Sequence, residues 1–258
     1  MNKTKIDWAD MTWNPVTGCL HGCEYCYARK IAERFEGFAP EENNDWRLDT
    51  THPISELDGM QARRQKDGKI VPAPYPFGFF PTFHKYRLNE PTQTKKPQTI
   101  FVCSMADLFG EWVPEEWIQR VFMACNDAPQ HRYLFLTKNP SKWPGIFQAY
   151  SEDETENWWF GQSLETFKPH DYVWAVPKHF ISIEPILSAP DMSASLFGTS
   201  WVIVGAETGN RKDKIVPEKK WIYDILAKCV RENVPIFMKE SLRELMGDDF
   251  IQMYPWEK

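Results

Sequence analysis

The sequence predicts an α/β protein, a full or partial (β/α) barrel of parallel strands with helices outside. Three observations predict it. Eight short apolar runs recur along the chain, most of them followed by a turn and a helix-like stretch. Four of the runs, TIFVC, YLFLT, FISI and WVIVG, lack alternating polarity, which is the mark of strands buried on both faces of a parallel sheet. The length of 258 residues with 42% hydrophobic content suits one barrel-sized core, so a single domain over 1–258 is expected. A doubly wound open sheet is the alternative architecture.

Strands are expected at 12–16, 79–83, 99–103, 133–137, 158–162, 179–183, 201–205 and 235–239. Helices are expected between them. The stretch 24–35 follows a cysteine-rich loop. The stretch 114–126 opens on a proline and places Trp117, Ile118, Val121 and Phe122 at helical spacing. The stretches 141–149 and 218–232 follow, the latter with Ile222, Ile225, Leu226 and Val230 at helical spacing. Residues 37–78 break the alternation. They are polar, carry five prolines, and read as an insertion over one end of the barrel with a short helix at 55–65.

Six cysteines are too few for a disulfide scaffold, yet three fall within eight positions, in G-C-L-H-G-C-E-Y-C-Y-A. This C-x3-C-x2-C spacing puts Cys19, Cys23 and Cys26 on one loop after the first strand. Three thiolates on such a loop suit three irons of a cubane cluster, leaving the fourth iron open. Gly18 and Gly22 permit sharp turns, and Tyr25 supplies an aromatic beside the cluster. A zinc site of the three cysteines with His21 is the other reading, strained because His21 lies between two of them. Cys125 and Cys229 read as packing residues in helices.

C-x3-C-x2-C with an aromatic before the third cysteine resembles the signature of the radical S-adenosylmethionine (SAM) superfamily. The blocks W-N-P-V-T-G-C, F-V-C-S-M-A-D-L-F, L-T-K-N-P, I-S-I-E-P and V-G-A-E-T-G resemble the phage-associated and bacterial radical-SAM-like family of unknown function, whose members usually have a longer gap between the first two cysteines. The resemblance implies a [4Fe–4S] cluster and bound S-adenosylmethionine, cleaved to a 5′-deoxyadenosyl radical. It also implies an external electron donor of flavodoxin or ferredoxin type.

In a (β/α) barrel the active site lies at the C-terminal strand ends, and polar groups recur there. Ser104 and Asp107 follow TIFVC. Thr137, Lys138 and Asn139 follow YLFL. Gln162, Ser163 and Glu165 follow WWFG. Glu184 follows FISI, Glu207 and Thr208 follow VIVG, and Lys239 and Glu240 follow IFM. Of these, Ser104, Lys138, Ser163, Glu165, Glu184 and Glu207 are expected to contact the cofactor. The resemblance suggests Lys138 for the SAM carboxylate and Glu165 or Glu207 for its ribose or sulfonium. Thr82 and His84 match the positions that hold the SAM amino group, although the usual Gly-Gly-Glu is absent. Cys103 and Asp107 are the catalytic candidates. Cys103 reads either as a hydrogen-atom donor or as a small buried residue.

Net charge is −6, unlike that of a non-specific DNA coater. Residues 60–97, however, carry eight Lys and Arg against two acidic residues, a local +6 interleaved with Tyr75, Phe77, Phe79 and Phe80. That favours a nucleobase or nucleic-acid substrate. A non-catalytic nucleic-acid-binding module with a zinc or iron–sulfur site is the competing function. No apolar run is long enough to span a membrane and no secretory leader is recognisable, so a cytoplasmic location is expected.

Overall fold

The computed structural model describes residues 1–35, 55–65, 67–147, 150–151, 153–169 and 175–257. It divides into two compact units, Met1–Lys3 with Met11–His131, and Thr4–Asp10 with Arg132–Lys258.

The first unit holds β1 (Asn2–Lys3), β2 (Met11–Trp13), β3 (Val16–Thr17), α1 (Tyr27–Arg34), β4 (Ser55–Leu57), β5 (Gln61–Arg64), β6 (Ile70–Ala73), β7 (Thr82–His84), β8 (Thr99–Val102) and α2 (Glu115–Asn126). β2 pairs parallel with β8 and antiparallel with β1. β7 lies between β3 and β4 in a separate three-stranded sheet, and β5 and β6 form an antiparallel ribbon. Two expectations are corrected here. The run at 79–83 gives no strand beside β2, because β7 takes its partners from Val16–Thr17 and Ser55–Leu57. The helix expected at 55–65 is two short strands, β4 and β5. Its sequence offers Leu57, Met60 and Ala62 around Gly59, too short an apolar stripe for a helix to bury, and Met60 is exposed. The part of the expected insertion at 37–54 lies outside the described residues.

The second unit holds β9 (Arg132–Thr137), α3 (Trp143–Phe147), β10 (Trp158–Leu164), β11 (His179–Ile183), β12 (Thr199–Val204), α4 (Lys219–Glu232), β13 (Ile236–Met238) and α5 (Arg243–Met246). Its five strands run parallel in the order β9-β10-β11-β12-β13. Across the chain, therefore, the strands of the larger sheets are mostly parallel and are flanked by helices.

Register fixes which side chains share a face of the second unit's sheet, since paired residues on neighbouring strands point the same way. Leu164, Ile183, Val204 and Met238 form one row. They pack with Ile222, Ile225 and Cys229 of α4 in one buried cluster. The alternate row, Ser163, Ser182, Ile203 and Phe237, points to the opposite face. Further toward the strand N-termini that face carries Phe180 and Trp201. Trp8, Tyr254 and Trp256 cluster around the Trp201 ring at centroid distances of 6.5, 5.9 and 5.2 Å. Such edge and tilted contacts suit the ring quadrupoles. One end of the face is thus filled by aromatics, while its C-terminal end carries polar groups.

Candidate functional sites

In the first unit, β2 and β8 deliver two loops to the same place. Gly18 N–H donates to the Met105 carbonyl at 2.8 Å, and Cys19 N–H to the Phe79 carbonyl at 3.1 Å. Gly18 has φ +87°, and a Cβ there would stand 2.2 Å from the Phe80 carbonyl oxygen, so only glycine fits this crossing. Asn14, at the end of β2, accepts from Ser104 Oγ at 3.2 Å and from Met105 N–H at 2.9 Å through its Oδ1. Tyr27 donates its hydroxyl to the Ser104 carbonyl at 2.9 Å.

The three clustered cysteines hold three different posts on this loop. Cys19 packs beside Phe79, Met105, Ala28 and Ala32. Burial pushes its thiol up to about 12, against the opposing effect of the His21 backbone N–H. Cys23 opens a turn whose Cys26 N–H donates back to the Cys23 carbonyl at 3.2 Å, with Tyr25 inside that turn. Cys26 is the N-cap of α1, its sulfur accepting the Arg29 N–H at 3.4 Å. His21 is engaged elsewhere: its Nε2 lies 2.7 Å from Asp107 Oδ2, and its ring meets Trp112 edge-on at 4.9 Å. Asp107 Oδ1 accepts the Phe109 N–H at 3.0 Å.

This arrangement corrects the expectation built on the cysteines. Among the described residues, no group of three or more His, Cys, Asp or Glu side chains is placed to hold a metal ion. The donor set does not fit a cubane. The partly exposed Cys19 packs beside Phe79 and Met105, and Cys26 caps α1. The zinc reading with His21 fails on the same finding, His21 being paired with Asp107. The [4Fe–4S] cluster, bound SAM, radical chemistry, the electron donor and the metal-containing nucleic-acid module are therefore not supported. The nucleic-acid substrate falls with them, and part of the basic stretch is neutralised locally. Lys85 pairs with Asp58 at 2.7 Å and Glu56 at 3.2 Å, and Lys69 with Asp67 at 3.4 Å.

The remaining first-unit candidates are inward-facing. Cys103 is buried with φ +57°, a left-handed backbone uncommon outside glycine, and burial pushes its thiol up to about 12. Thr82 bonds to the Phe80 carbonyl at 2.9 Å. His84 is fully buried between Thr17 Oγ1 at 2.8 Å and Tyr86 Oη at 3.2 Å. Burial, with the nearby Arg87 cation, holds its imidazole down at about 3.

The second unit gathers the other candidates at the C-terminal ends of its strands. Backbone bonds from Glu184 N–H to the Leu164 carbonyl and from Lys239 N–H to the Val204 carbonyl carry the register one residue past the strands. Lys138, Glu165, Glu184 and Lys239 thus follow one another along β9, β10, β11 and β13 on the face away from α4. Ser163 and Ser182 lie in or next to this layer on the same face. Lys138 Nζ meets Glu165 Oε1 at 2.6 Å, and Lys239 pairs with Glu184, the latter pair being the less exposed. β12 contributes Gly205, and a Cβ there would stand 3.0 Å from Lys239 Cδ. The lysine stem therefore crosses over β12 to reach Glu184 on β11. Glu207 is held apart from this row. Arg211 clamps both its oxygens at 2.7 and 2.8 Å, keeping its carboxyl below the usual carboxylate range.

Ser182 was not singled out from the sequence. It is fully buried, and its Oγ has no hydrogen-bond partner in the structure. The only sequence signal was a hydroxyl inside the apolar run FISI. The His21 pairing with Asp107 was also missed, since the two lie 86 residues apart.

A family model described as a protein of unknown function, DUF5131, matches residues 3–243. A solved structure of spore photoproduct lyase carrying a cysteine-to-serine substitution aligns with a TM-score of 0.53. It is 10% identical over 92% of this chain and 79% of that one. The likeness shows the fold alone, a mostly parallel sheet flanked by helices that resembles an open or partial (β/α) barrel. No curated protein matches the sequence. Among the described residues, no helix is long and apolar enough to cross a membrane.

Proposed function

Because the chain belongs to the DUF5131 family, whose function is unknown, we propose a role from its own side chains: it binds a small polar molecule bearing both an anionic and a cationic group at the strand ends of the second unit. The buried Ser182 hydroxyl carries this reading. A buried hydroxyl without a partner costs about 1–3 kcal/mol, so a bound group that pairs with it recovers stability the empty fold forgoes. The charges around it suit such a ligand. Lys138 and Lys239 flank Glu165 and Glu184, so an acidic group has a cation to meet at either end and a basic group has two neighbouring carboxylates. Ion pairs that retain contact with water are weak, about 0–1 kcal/mol each, and exchange partners at small cost.

The test is calorimetric titration of the full chain with the twenty amino acids, phosphoethanolamine and phosphocholine, with acetate and methylamine as singly charged controls. Saturable binding by at least one doubly charged compound is expected, weakened at least tenfold by Lys239→Met and by Glu184→Gln. Heats no larger than those of acetate and methylamine across the whole panel would sink the reading.

A further inference from the structure

Cys23 and Cys26 stand at the two ends of one hydrogen-bonded turn, Cys26 N–H donating to the Cys23 carbonyl at 3.2 Å. A four-residue turn of this kind brings its terminal Cα atoms within about 7 Å. A disulfide spans about 4.4–6.8 Å between Cα atoms, a range that such a turn overlaps. Both residues are partly exposed, and both sulfurs are free. Tyr27, Ala28 and Arg29 follow directly in α1, giving a C-x2-C pair at the start of a helix, a setting that recurs in dithiol redox sites.

We infer that Cys23 and Cys26 form a reversible dithiol–disulfide couple, with Cys19 outside it. The reaction is exchange with a low-molecular-weight disulfide. One sulfur of the pair displaces a thiol from that disulfide, making a mixed disulfide. The second sulfur then displaces the remaining thiol and closes the ring. The protein pair gives up two protons and two electrons, and the small disulfide takes up both to become two thiols. Cys19 lies outside this turn, four residues before Cys23, its N–H donating to the Phe79 carbonyl at 3.1 Å. Closing the ring alters the helix start, since the Cys26 sulfur now accepts the Arg29 N–H. The couple therefore also affects how α1 presents Ala28 and Ala32 to the first unit.

The experiment incubates the full chain, purified without oxygen, with oxidised glutathione, followed by alkylation and peptide mass spectrometry. The expected product is an intramolecular link between Cys23 and Cys26, reversed by reduced glutathione and retained in Cys19→Ser. In Cys23→Ser and Cys26→Ser the remaining sulfur should instead accumulate a glutathione adduct, which keeps the test informative without the ring. A link that includes Cys19, or no link while both thiols remain alkylatable, overturns the inference. So does a chain that is isolated with stoichiometric iron and sulfide on this loop.

Discussion

Gly205 and Lys239 occupy matching positions one residue past β12 and β13, and the absent side chain of the first makes room for the stem of the second, which continues to Glu184 just past β11. Gly205→Ala would place a methyl group 3.0–3.3 Å from three carbons of Lys239. The lysine must then move and the pair with Glu184 weakens. The expected outcome is a folded protein, less stable by about 1–2 kcal/mol from local overpacking. The Lys239→Met change should then cost less in this background than in the original chain, a comparison made by urea unfolding of the four proteins.

Ser182→Ala should stabilise the unliganded protein. Removing a buried hydroxyl that has no partner relieves about 1 kcal/mol while leaving the volume nearly unchanged. The urea midpoint should rise with an unchanged slope. A lower midpoint would mean that the hydroxyl has a partner inside the fold.

His84 makes the fold sensitive to acid. Its folded value of about 3 lies below the ordinary value of 6.5, so the unfolded chain takes up a proton more readily than the folded one. Its contribution is fully present above pH 6.5 and is lost as pH falls from there toward 3. At pH 5 the loss from this residue is about 2 kcal/mol. Unfolding free energies measured at pH 7 and pH 5 should differ by less in His84→Gln than in the original protein.

Trp201 is the centre of the aromatic group on the second unit's sheet, within 5.2–6.5 Å of the rings of Trp8, Tyr254 and Trp256. Its Nε1 also donates to the Met253 carbonyl at 2.8 Å. Trp201→Ala should cost about 3–5 kcal/mol. Trp201→Phe should recover much of the packing but leave the Met253 carbonyl without this donor. Thermal unfolding of the two variants distinguishes packing from hydrogen bonding.

The parallel strands were legible because burial on both faces writes itself as an unbroken apolar run. HFISI, TSWVIV and RYLFLT all became strands of the second unit, and β11 has the bounds expected for it. α2 and α4 were legible from their apolar spacing, each beginning one residue after the position expected. The first unit was harder. Gln61–Arg64, polar but for Ala62, is a strand in a two-stranded ribbon, where pairing rather than burial sets the conformation. The run 79–83 reads as a sheet strand, but the strand that forms is Thr82–His84, with partners that only the folded chain supplies.

The sites divide the same way. That Lys138, Glu165, Glu184 and Lys239 fall at strand ends follows from chain order. Which of them pair does not, because Lys239 reaches Glu184 over a glycine on an intervening strand. The cysteine spacing gave nearness along the chain but not the direction of each sulfur. Cys19 and Cys26 both pack toward Phe79 and Met105, and Cys26 also caps α1.

The segment Thr4–Asp10 belongs to the unit otherwise made from Arg132 onward, and its Trp8 ring and Asp7 carbonyl meet Trp201 and Tyr254. During synthesis these seven residues leave the ribosome long before their partners do. Asp7 and Trp8 settle against this unit only after Trp201, Glu240 and Tyr254 have been made. Translation speed across the last third of the message should therefore govern how long Trp8 stays open to chaperones.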